Sequence, residues 1–328
     1  MTIVLRRLFA AGAVAACAAF ASGAQAQDTI RLGLQSVPTD VLYQAKDWAK
    51  PYDLKTEIST YSSAGDSLKA FLAGRVDVVS GGAARLVTMA AMQPETFYIV
   101  AANQYGGDRY GLMVGPKSSA KSIDDLKGKK IGVVGGSGSY GTFMLFLEKH
   151  KLSPKDFQLV NMKVEDIAAA VNHGVVDAGL AWEPQVAIAE VSGTVKRIES
   201  MKGISESPNF ILVSRTFAKE HPQALVKYIA SVIDMAEFIH KTPDQAGQLI
   251  AAELGKSGIK MEPKAMELAV SRVTVDPKIE ASLLDELPPM AQSMLEAGRI
   301  KNMPDFKALV NESFYDEAVP LSKSKQSQ

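Results

Sequence analysis

The amino-acid sequence predicts an α/β protein made of two similar halves, each built on a mostly parallel sheet. Short apolar runs typical of strands alternate with longer segments typical of helices, and this alternation builds parallel sheets. A helix end, a glycine stop and a strand entry at Gly74-Arg75-Val76-Asp77 recur one hundred positions later at Gly174-Val175-Val176-Asp177. The chain of 328 residues is long enough to bury two separate cores.

In the first half, each predicted strand ends in a polar turn before the next helix begins. The first strand, over residues 29–34, alternates apolar and polar residues and is followed by Gln35. A helix opens after Ser62, and Gly74 is a good carboxyl-terminal stop for it. Further strands are predicted over residues 55–61, 76–79 and 97–102. Ligands of parallel sheets collect at the carboxyl ends of the strands, where these turns lie.

In the second half, the stretch from Lys129 to Leu145 is predicted to form a strand, a turn and a helix. Residues 131–134 form a short apolar run typical of a buried strand, and glycines and serines follow before a helix begins. This order places free backbone N–H groups at the positive end of a helix dipole, which favours anionic or strongly polar groups. Ser137 and Ser139 lie in this turn, so we expect the turn to contact a ligand.

Composition and spacing argue against several classes of protein. The 36 basic and 36 acidic residues give a net charge of zero, so no basic face for nucleic acid is indicated. The four histidines show no spacing typical of zinc ligands, and neither a metal nor a cofactor is expected. After the amino terminus, no charge-free run is long enough to span a membrane.

The amino terminus has the features of an export signal, which we assign to residues 1–26. The positive pair Arg6-Arg7 precedes the Ala-rich apolar run 8–20, and Ala24-Gln25-Ala26 offers a small-x-small cleavage site. Two variants stay open: a lipoprotein signal that would leave Cys17 lipidated, and a twin-arginine signal. Cleavage after residue 26 removes the only cysteine, so the mature chain is expected to form no disulfide. The expected location is the periplasm.

A glycine pattern raises the alternative of a dinucleotide-dependent oxidoreductase. Residues 136–141 follow a predicted strand, open a helix and formally match G-x-G-x-x-G. Such a site also needs an acid at the end of the next strand. That strand, over residues 157–160, is followed by Asn161 and Met162, so the pattern alone does not make a nicotinamide site.

Five segments carry a resemblance to a known family: residues 70–77, 122–131, 136–137, 174–178 and 182–184. In order and spacing they resemble the substrate-binding proteins of ABC importers in the nitrate/sulfonate/taurine and thiamine-precursor-like (NMT1/THI5-like) group. The resemblance covers residues 29–215, and its most specific piece is Trp182-Glu183-Pro184. The remainder of the chain matches this group only in length and helical character.

The resemblance implies a type II periplasmic-binding-protein fold, with two α/β lobes joined by two hinge strands. Lobe one would comprise residues 28–113 plus 211–328, and lobe two residues 114–210. The two crossings are expected near residues 112–114 and 210–213, where apolar runs are flanked by turn residues.

The resemblance also implies a ligand site between the lobes. Its residues would be Gln35, Thr39, Ser62, Ser63, Gly82, Ala83 and Asn103 from lobe one, with Ser137, Ser139, Tyr140, Trp182 and Glu183 from lobe two. Each serine could instead be a helix N-cap. Tyr140 stands where sulfonate-binding relatives often carry histidine. If Glu183 faces the cleft, it favours a ligand with an ammonium or ring N–H group, whereas Arg85 or Arg109 could neutralise an acid.

As a function, the resemblance implies a monomeric, non-enzymatic receptor for a small organic solute, working with an ABC permease and its ATPase in the inner membrane. The solute could be sulfonate- or taurine-like, pyrimidine-like or a carboxylate. A ligand sensor for a receptor kinase stays open as an alternative. Pyrimidine-precursor synthases of the same broad family use a cysteine-rich patch, which the mature chain lacks.

Overall fold

The computed structural model describes residues 28–62, 64–256 and 261–326. The predicted signal at residues 1–26, with Cys17, and the predicted site residue Ser63 lie outside these ranges. In the part of the chain that is described, none of the helices combines the length and the apolar character that crossing a membrane requires.

The described residues form ten strands and thirteen α-helices, and only helices follow β10. The strands are β1 (Asp28–Gln35), β2 (Leu54–Tyr61), β3 (Val78–Gly82), β4 (Phe97–Gln104), β5 (Tyr110–Val114), β6 (Lys130–Val133), β7 (Gln158–Asn161), β8 (Ala178–Trp182), β9 (Lys196–Ser200) and β10 (Asn209–Ser214). The helices are α1 (Pro38–Ala45), α2 (Ala64–Leu72), α3 (Ala83–Met92), α4 (Gly138–Lys149), α5 (Val164–Asn172), α6 (Gln185–Val191), α7 (Arg215–Glu220), α8 (Pro222–Lys241), α9 (Pro243–Gly255), α10 (Pro263–Ser271), α11 (Ala281–Asp285), α12 (Leu287–Glu296) and α13 (Ser313–Gln326).

The strands form two five-stranded sheets, which we call, with their helices, the first lobe and the second lobe. The first sheet has the order β2-β1-β3-β10-β4, and the second has the order β7-β6-β8-β5-β9. In the first sheet β10 runs antiparallel to β3 and β4, and in the second β5 runs antiparallel to β8 and β9. Buried apolar side chains cover both faces of each sheet, so each lobe has its own core.

The repeated segments 74–77 and 174–177 form the same helix-to-strand junction in both lobes. Gly74 and Gly174 have φ angles of +67° and +70°, a backbone conformation that glycine adopts without strain and that ends the preceding helix. The aspartate three residues later accepts a hydrogen bond from the backbone of β1 in the first lobe and of β6 in the second. The distances are 2.9 Å from Arg31 N to Asp77 Oδ2 and 2.9 Å from Lys130 N to Asp177 Oδ2.

The chain passes between the sheets twice, through residues 105–109 and 201–208. The predicted crossings, at 112–114 and 210–213, are displaced, because strand pairing places the first run within the second sheet and the second run within the first. The two crossings touch closely. A Cβ atom on Gly107 would lie 2.0 Å from the carbonyl oxygen of Met201, so only glycine fits there. The lobe limits at residues 113 and 210 stay a prediction.

A carboxylate of the first lobe holds the second crossing. Glu286, at the start of α12, accepts hydrogen bonds from Ser205 Oγ at 2.6 Å, Glu206 N at 2.7 Å and Ser207 N at 3.0 Å. Gly106 N in the first crossing donates to the carbonyl of Glu206 at 2.8 Å. The crossings are therefore bound to each other and to the first lobe.

Candidate functional site

The carboxyl ends of the parallel strands in the two sheets face each other across the crossings. Strand β4 ends at Gln104 and leads directly into the first crossing, and β5 begins at Tyr110 where that crossing ends. In the second sheet Tyr110 pairs with Trp182, the last residue of β8. Because parallel strands end at the same edge, the strand ends that carry the predicted site residues lie on either side of the crossings.

In the first lobe, a buried polar network joins the ends of three strands to the first turn of α1. Asp40 lies at its centre. Its Oδ2 atom accepts hydrogen bonds from Gln35 N at 2.8 Å and Ser80 Oγ at 3.0 Å, and its Oδ1 atom accepts one from Asn103 Nδ2 at 2.9 Å. These donors come from the end of β1, from β3 and from β4, so Asp40 fastens three neighbouring strands.

Two further contacts complete this network. The side-chain amide of Gln35 donates to the carbonyl of Ser80 at 2.8 Å and to its hydroxyl at 2.9 Å. Thr39 Oγ1 donates to Gln104 Oε1 at 3.2 Å. All of these side chains are buried, so their hydrogen bonds are largely shielded from water. The structure thus brings together three predicted site residues, namely Gln35, Thr39 and Asn103.

Asp40 is not among the predicted site residues, although it follows Thr39 directly. Its side chain is only 4% exposed, and no salt bridge to it occurs within the described ranges. Burial raises the pKa of Asp40 above the usual 3.8, and the hydrogen bonds from Asn103, Gln35 and Ser80 offset part of this effect. The local signal at Asp40 is an acid in the first turn of a helix that follows a strand, and this signal is the same for an aspartate that faces solvent.

Other predicted residues of the first lobe lie outside this network. Ser62 is exposed just after the end of β2. Gly82 and Ala83 lie at the start of α3, where Ala83 N donates to the carbonyl of Pro208 at 3.1 Å. A Cβ atom on Gly82 would lie 3.0 Å from Asn209 Oδ1. This turn therefore packs against the second crossing.

In the second lobe, Ser137 is the N-cap of the twelve-residue helix α4. Its hydroxyl accepts a hydrogen bond from Tyr140 N at 3.2 Å, donates to the carbonyl of Val134 at 2.7 Å and lies 2.9 Å from Ser139 Oγ. The capping role that was the alternative for this serine is therefore present in the structure. Capping still leaves backbone N–H groups of the first helical turn directed out of the helix end.

Two aromatic side chains and a buried arginine border the start of α4. Tyr140 and Trp182 are half-buried and pack against the core of the second lobe. The hydroxyl of Tyr110 closely approaches Gly138, where an added Cβ atom would lie 2.7 Å from it. Arg109 donates to this hydroxyl at 2.6 Å and to the carbonyl of Ser207. This candidate cation is therefore bound to the crossings, and the other, Arg85, is exposed on α3.

Glu183 connects the lobes through a buried ion pair. Its Oε2 atom accepts a hydrogen bond from Ala187 N at 2.9 Å, and its Oε1 atom lies 2.8 Å from Arg272 Nη1. Arg272, which follows α10 in the first lobe, also lies 2.5 Å from Glu190. Burial raises the pKa of Glu183, and the hydrogen bonds from Arg272 and Ala187 offset part of the rise. Both carboxylate oxygens are thus already engaged.

A cavity of about 870 Å³ lies elsewhere, at the amino-terminal ends of the first sheet. Its lining includes Arg31 and Asp77, which form an ion pair at 2.5 Å, and Arg215, which donates to the carbonyl of Phe97. Because it lies at the opposite edge of the first sheet from the crossings, we do not assign it to the candidate site. The residues that the structure describes contain no cluster of three or more potential metal ligands.

Two α/β lobes with these strand orders and two crossings form the fold of periplasmic binding proteins. The alkanesulfonate-binding protein SsuA from Xanthomonas axonopodis pv. citri, solved with MOPS bound, matches with a TM-score of 0.75 and 19% identity over 87% of this chain and 98% of its own. The desulfurization enzyme DszB has the same fold, with a TM-score of 0.71 and 16% identity over 90% of this chain and 99% of its own. These likenesses establish the fold.

The family model described as NMT1/THI5 like matches residues 40–246, and the chain belongs to this family. The taurine-binding periplasmic protein of Escherichia coli K12 is 25% identical over 234 residues, which cover 70% of this chain and 72% of that protein. A protein of Bacillus subtilis (strain 168) named for binding aliphatic sulfonates is 26% identical over 206 residues, which cover 61% of this chain and 62% of that protein. The predicted fold and family are both confirmed.

Proposed function

We propose that this protein is the periplasmic solute-binding component of an ABC importer and that it captures a small organic acid between its lobes. The observation that carries the proposal is the pair of polar strand ends that face each other across the crossings: the network around Asp40 on one side and the start of α4 on the other. The names of the relatives, which bind taurine and aliphatic sulfonates, support this class of solute.

The two ends suit different parts of such a solute. The start of α4 offers backbone N–H groups and the positive end of the helix dipole, which favour a sulfonate or a carboxylate. Tyr140 and Trp182 supply apolar surface beside it, and the first lobe supplies Gln35, Thr39 and Asn103. Binding of a solute to both lobes would stabilise the closed form relative to the open form, and the permease with its ATPase would recognise that closed form.

A second candidate function is catalysis, because the desulfurization enzyme DszB shares the fold. The relatives named as binding proteins support capture without chemistry, and cysteine, the strongest neutral-pH nucleophile, is present in the sequence only at position 17. Incubation of the protein with aryl sulfinates and alkanesulfonates, followed by mass spectrometry, separates the two functions. Capture predicts that each compound is recovered unchanged.

Thermal unfolding of the purified protein in the presence of sulfonates, carboxylates and aminopyrimidines tests the proposal. A micromolar ligand at millimolar concentration should add about 4 kcal/mol to the free energy of unfolding. Trp182→Ala should weaken binding by more than about tenfold, since the variant removes an aromatic contact surface. Leu145→Ala, on an exposed position of α4, is the matched control and should bind normally. Failure of all three classes to stabilise the protein would reject the proposal.

A further inference from the structure

The hydrogen bonds around Asp40 determine which atoms of the first lobe are left for a ligand. Asp40 accepts three hydrogen bonds, one of them from the side-chain amide of Asn103. The Nδ2 group of Asn103 therefore faces Asp40, and its Oδ1 atom faces away. The orientation of Gln35 is set in the same manner, because its Nε2 group donates to the carbonyl of Ser80, which can only accept.

The side-chain oxygens of Gln35 and Asn103 are therefore left as hydrogen-bond acceptors without a donor among the described residues. Within residues 28–62, 64–256 and 261–326, neither Gln35 Oε1 nor Asn103 Oδ1 accepts a hydrogen bond. Both belong to buried residues, yet neither oxygen is among the fully enclosed polar atoms that lack a partner. Each oxygen therefore keeps some access to solvent, at the strand ends that face the crossings.

The carboxamide oxygens of Gln35 and Asn103, with the carboxyl group of Asp40 behind them, form a surface that accepts hydrogen bonds. A ligand that presents N–H groups there would satisfy both oxygens, whereas an acid or methyl group would leave them unpaired and desolvated. The acid of a solute is therefore disfavoured on this side and would bind at the start of α4. A free amine is the complementary group for the first lobe, and a positive charge would gain further from nearby Asp40.

We propose that the first lobe recognises an amino group of the solute through Gln35 Oε1 and Asn103 Oδ1, and that Asp40 is the positioning residue that holds Asn103 in the accepting orientation. This inference rests on the proposed function and narrows the solute to a short acid that carries an amine. The sequence led us to expect Glu183 as the acid that favours an ammonium group. Both carboxylate oxygens of Glu183 are bound by Arg272 and Ala187, so we assign that role to Asp40 instead.

Isothermal titration with two pairs of isosteric ligands tests the proposal. Taurine is compared with propane-1-sulfonate, and β-alanine with butyrate, so that only an ammonium is exchanged for a methyl group. In at least one pair, the amine should bind about tenfold or more tightly than its methyl analogue, because hydrogen bonds to a charged group have that effect. The measured quantity is the ratio of the two dissociation constants.

Asp40→Asn tests the positioning role with little change of shape. An amide at position 40 cannot accept from all three donors, so Asn103 should rotate and present Nδ2 to the ligand. The preference for the amine over its methyl analogue, given by the ratio of their dissociation constants, should then fall about tenfold or invert. A general loss of stability would weaken the binding of both ligands and leave this preference unchanged. Ser231→Ala is the matched control: it removes a buried hydroxyl of the first lobe that contacts Tyr43 and the carbonyl of Tyr228, outside the network around Asp40, so the ratio should be kept.

If Asp40→Asn does not fold, Asn103→Leu removes one acceptor at similar volume and should also lower the ratio. Equal binding of amine and methyl ligands by the wild type would overturn the proposal and leave solute capture standing. An unchanged ratio in a folded Asp40→Asn variant would overturn the positioning role. Failure of all four ligands to bind would reject both the amine proposal and the capture of short organic acids.

Discussion

The two lobes share one plan at the amino ends of their strands and differ at the carboxyl ends. In both, two parallel strands lie side by side: β1 beside β3, with Gly33 opposite Val79, in the first lobe, and β6 beside β8, with Gly132 opposite Gly179, in the second. In both, an aspartate after a glycine stop accepts a hydrogen bond from a strand backbone, that of β1 in the first lobe and that of β6 in the second. At the carboxyl ends, the first lobe has side-chain hydrogen bonds around Asp40, and the second has a capped helix.

This difference shows how one scaffold can present two chemistries. The repeated junctions bind the start of a strand in the same way in both lobes. The turns at the other edge differ: buried side-chain hydrogen bonds join them in the first lobe, and a helix N-cap is found in the second. On the proposed function, a solute held between the lobes would meet hydrogen-bond acceptors on one side and hydrogen-bond donors on the other.

The largest expected effect comes from removing the carboxylate of the first lobe. Asp40→Ala leaves the donors of Gln35, Ser80 and Asn103 without an acceptor, and the free energy of unfolding should fall by about 3 kcal/mol. Ser137→Ala removes a helix cap in the second lobe and should lower it by only about 1 kcal/mol. Urea denaturation measures both. Equal losses would show that the two polar ends contribute equally to stability.

A smaller effect is expected where the lobes differ inside their sheets. Gly179→Ala places a Cβ atom 2.3 Å from Cγ2 of Ile167 and 2.9 Å from Cγ2 of Val171, so the variant should be destabilised by about 2 kcal/mol. Gly141→Ala, in α4 with open space around it, is the control and should gain about 0.5–1 kcal/mol. Calorimetric melting of both variants checks the prediction. A Gly179→Ala variant as stable as the wild type would contradict it.

The third prediction concerns pH. Because burial raises the pKa of Asp40 above 3.8, the folded protein keeps this proton to higher pH than the unfolded chain. The stability of the wild type relative to Asp40→Asn should therefore fall as pH rises from 3.8 through the folded pKa, and then level off. Unfolding free energies measured at several pH values for both proteins test this. A constant difference across that range would argue against it.

The fourth prediction concerns Asp108, beside the second lobe, whose effect on stability should change with pH in the opposite direction to that of Asp40. Burial raises its pKa, but the hydrogen bond and charge of Arg197 at 2.6 Å outweigh burial, and the net pKa is lowered. The contribution of Asp108 to stability is present above its unfolded pKa and is lost as pH falls through the folded pKa. The stability of the wild type relative to Asp108→Asn should therefore decrease on acidification.

Local signals in the sequence predict much of the fold. The apolar run at residues 131–134, the stops at Gly74 and Gly174 and the cap at Ser137 each depend on neighbours within a few residues. The fold and the family are predicted because such local patterns occur in a characteristic order. The crossings are displaced from their predicted positions because β5 and β10 are apolar like hinge strands, and only pairing shows to which sheet each belongs.

The chemistry of the candidate site depends on distant residues and could not be predicted in the same way. Asp40 is 63 residues from Asn103, and Glu183 is 89 residues from Arg272. Nothing local distinguishes an aspartate that caps a helix in solvent from one that collects three buried donors. Whether Tyr140, Trp182 and the other selected residues contact a solute stays a prediction for the binding experiments.

The position of β10 in the middle of the first sheet has a consequence for the order in which the molecule can form. A ribosome releases β3 and β4 first, and these strands pair with β10, whose partners lie more than one hundred residues away in sequence. Until β10 emerges, the nascent first sheet has two open edges with unpaired backbone groups. All strands of the second sheet have been made by then, since they lie between residues 110 and 200. Synthesis therefore completes the second lobe before the first, although the first lobe begins the chain.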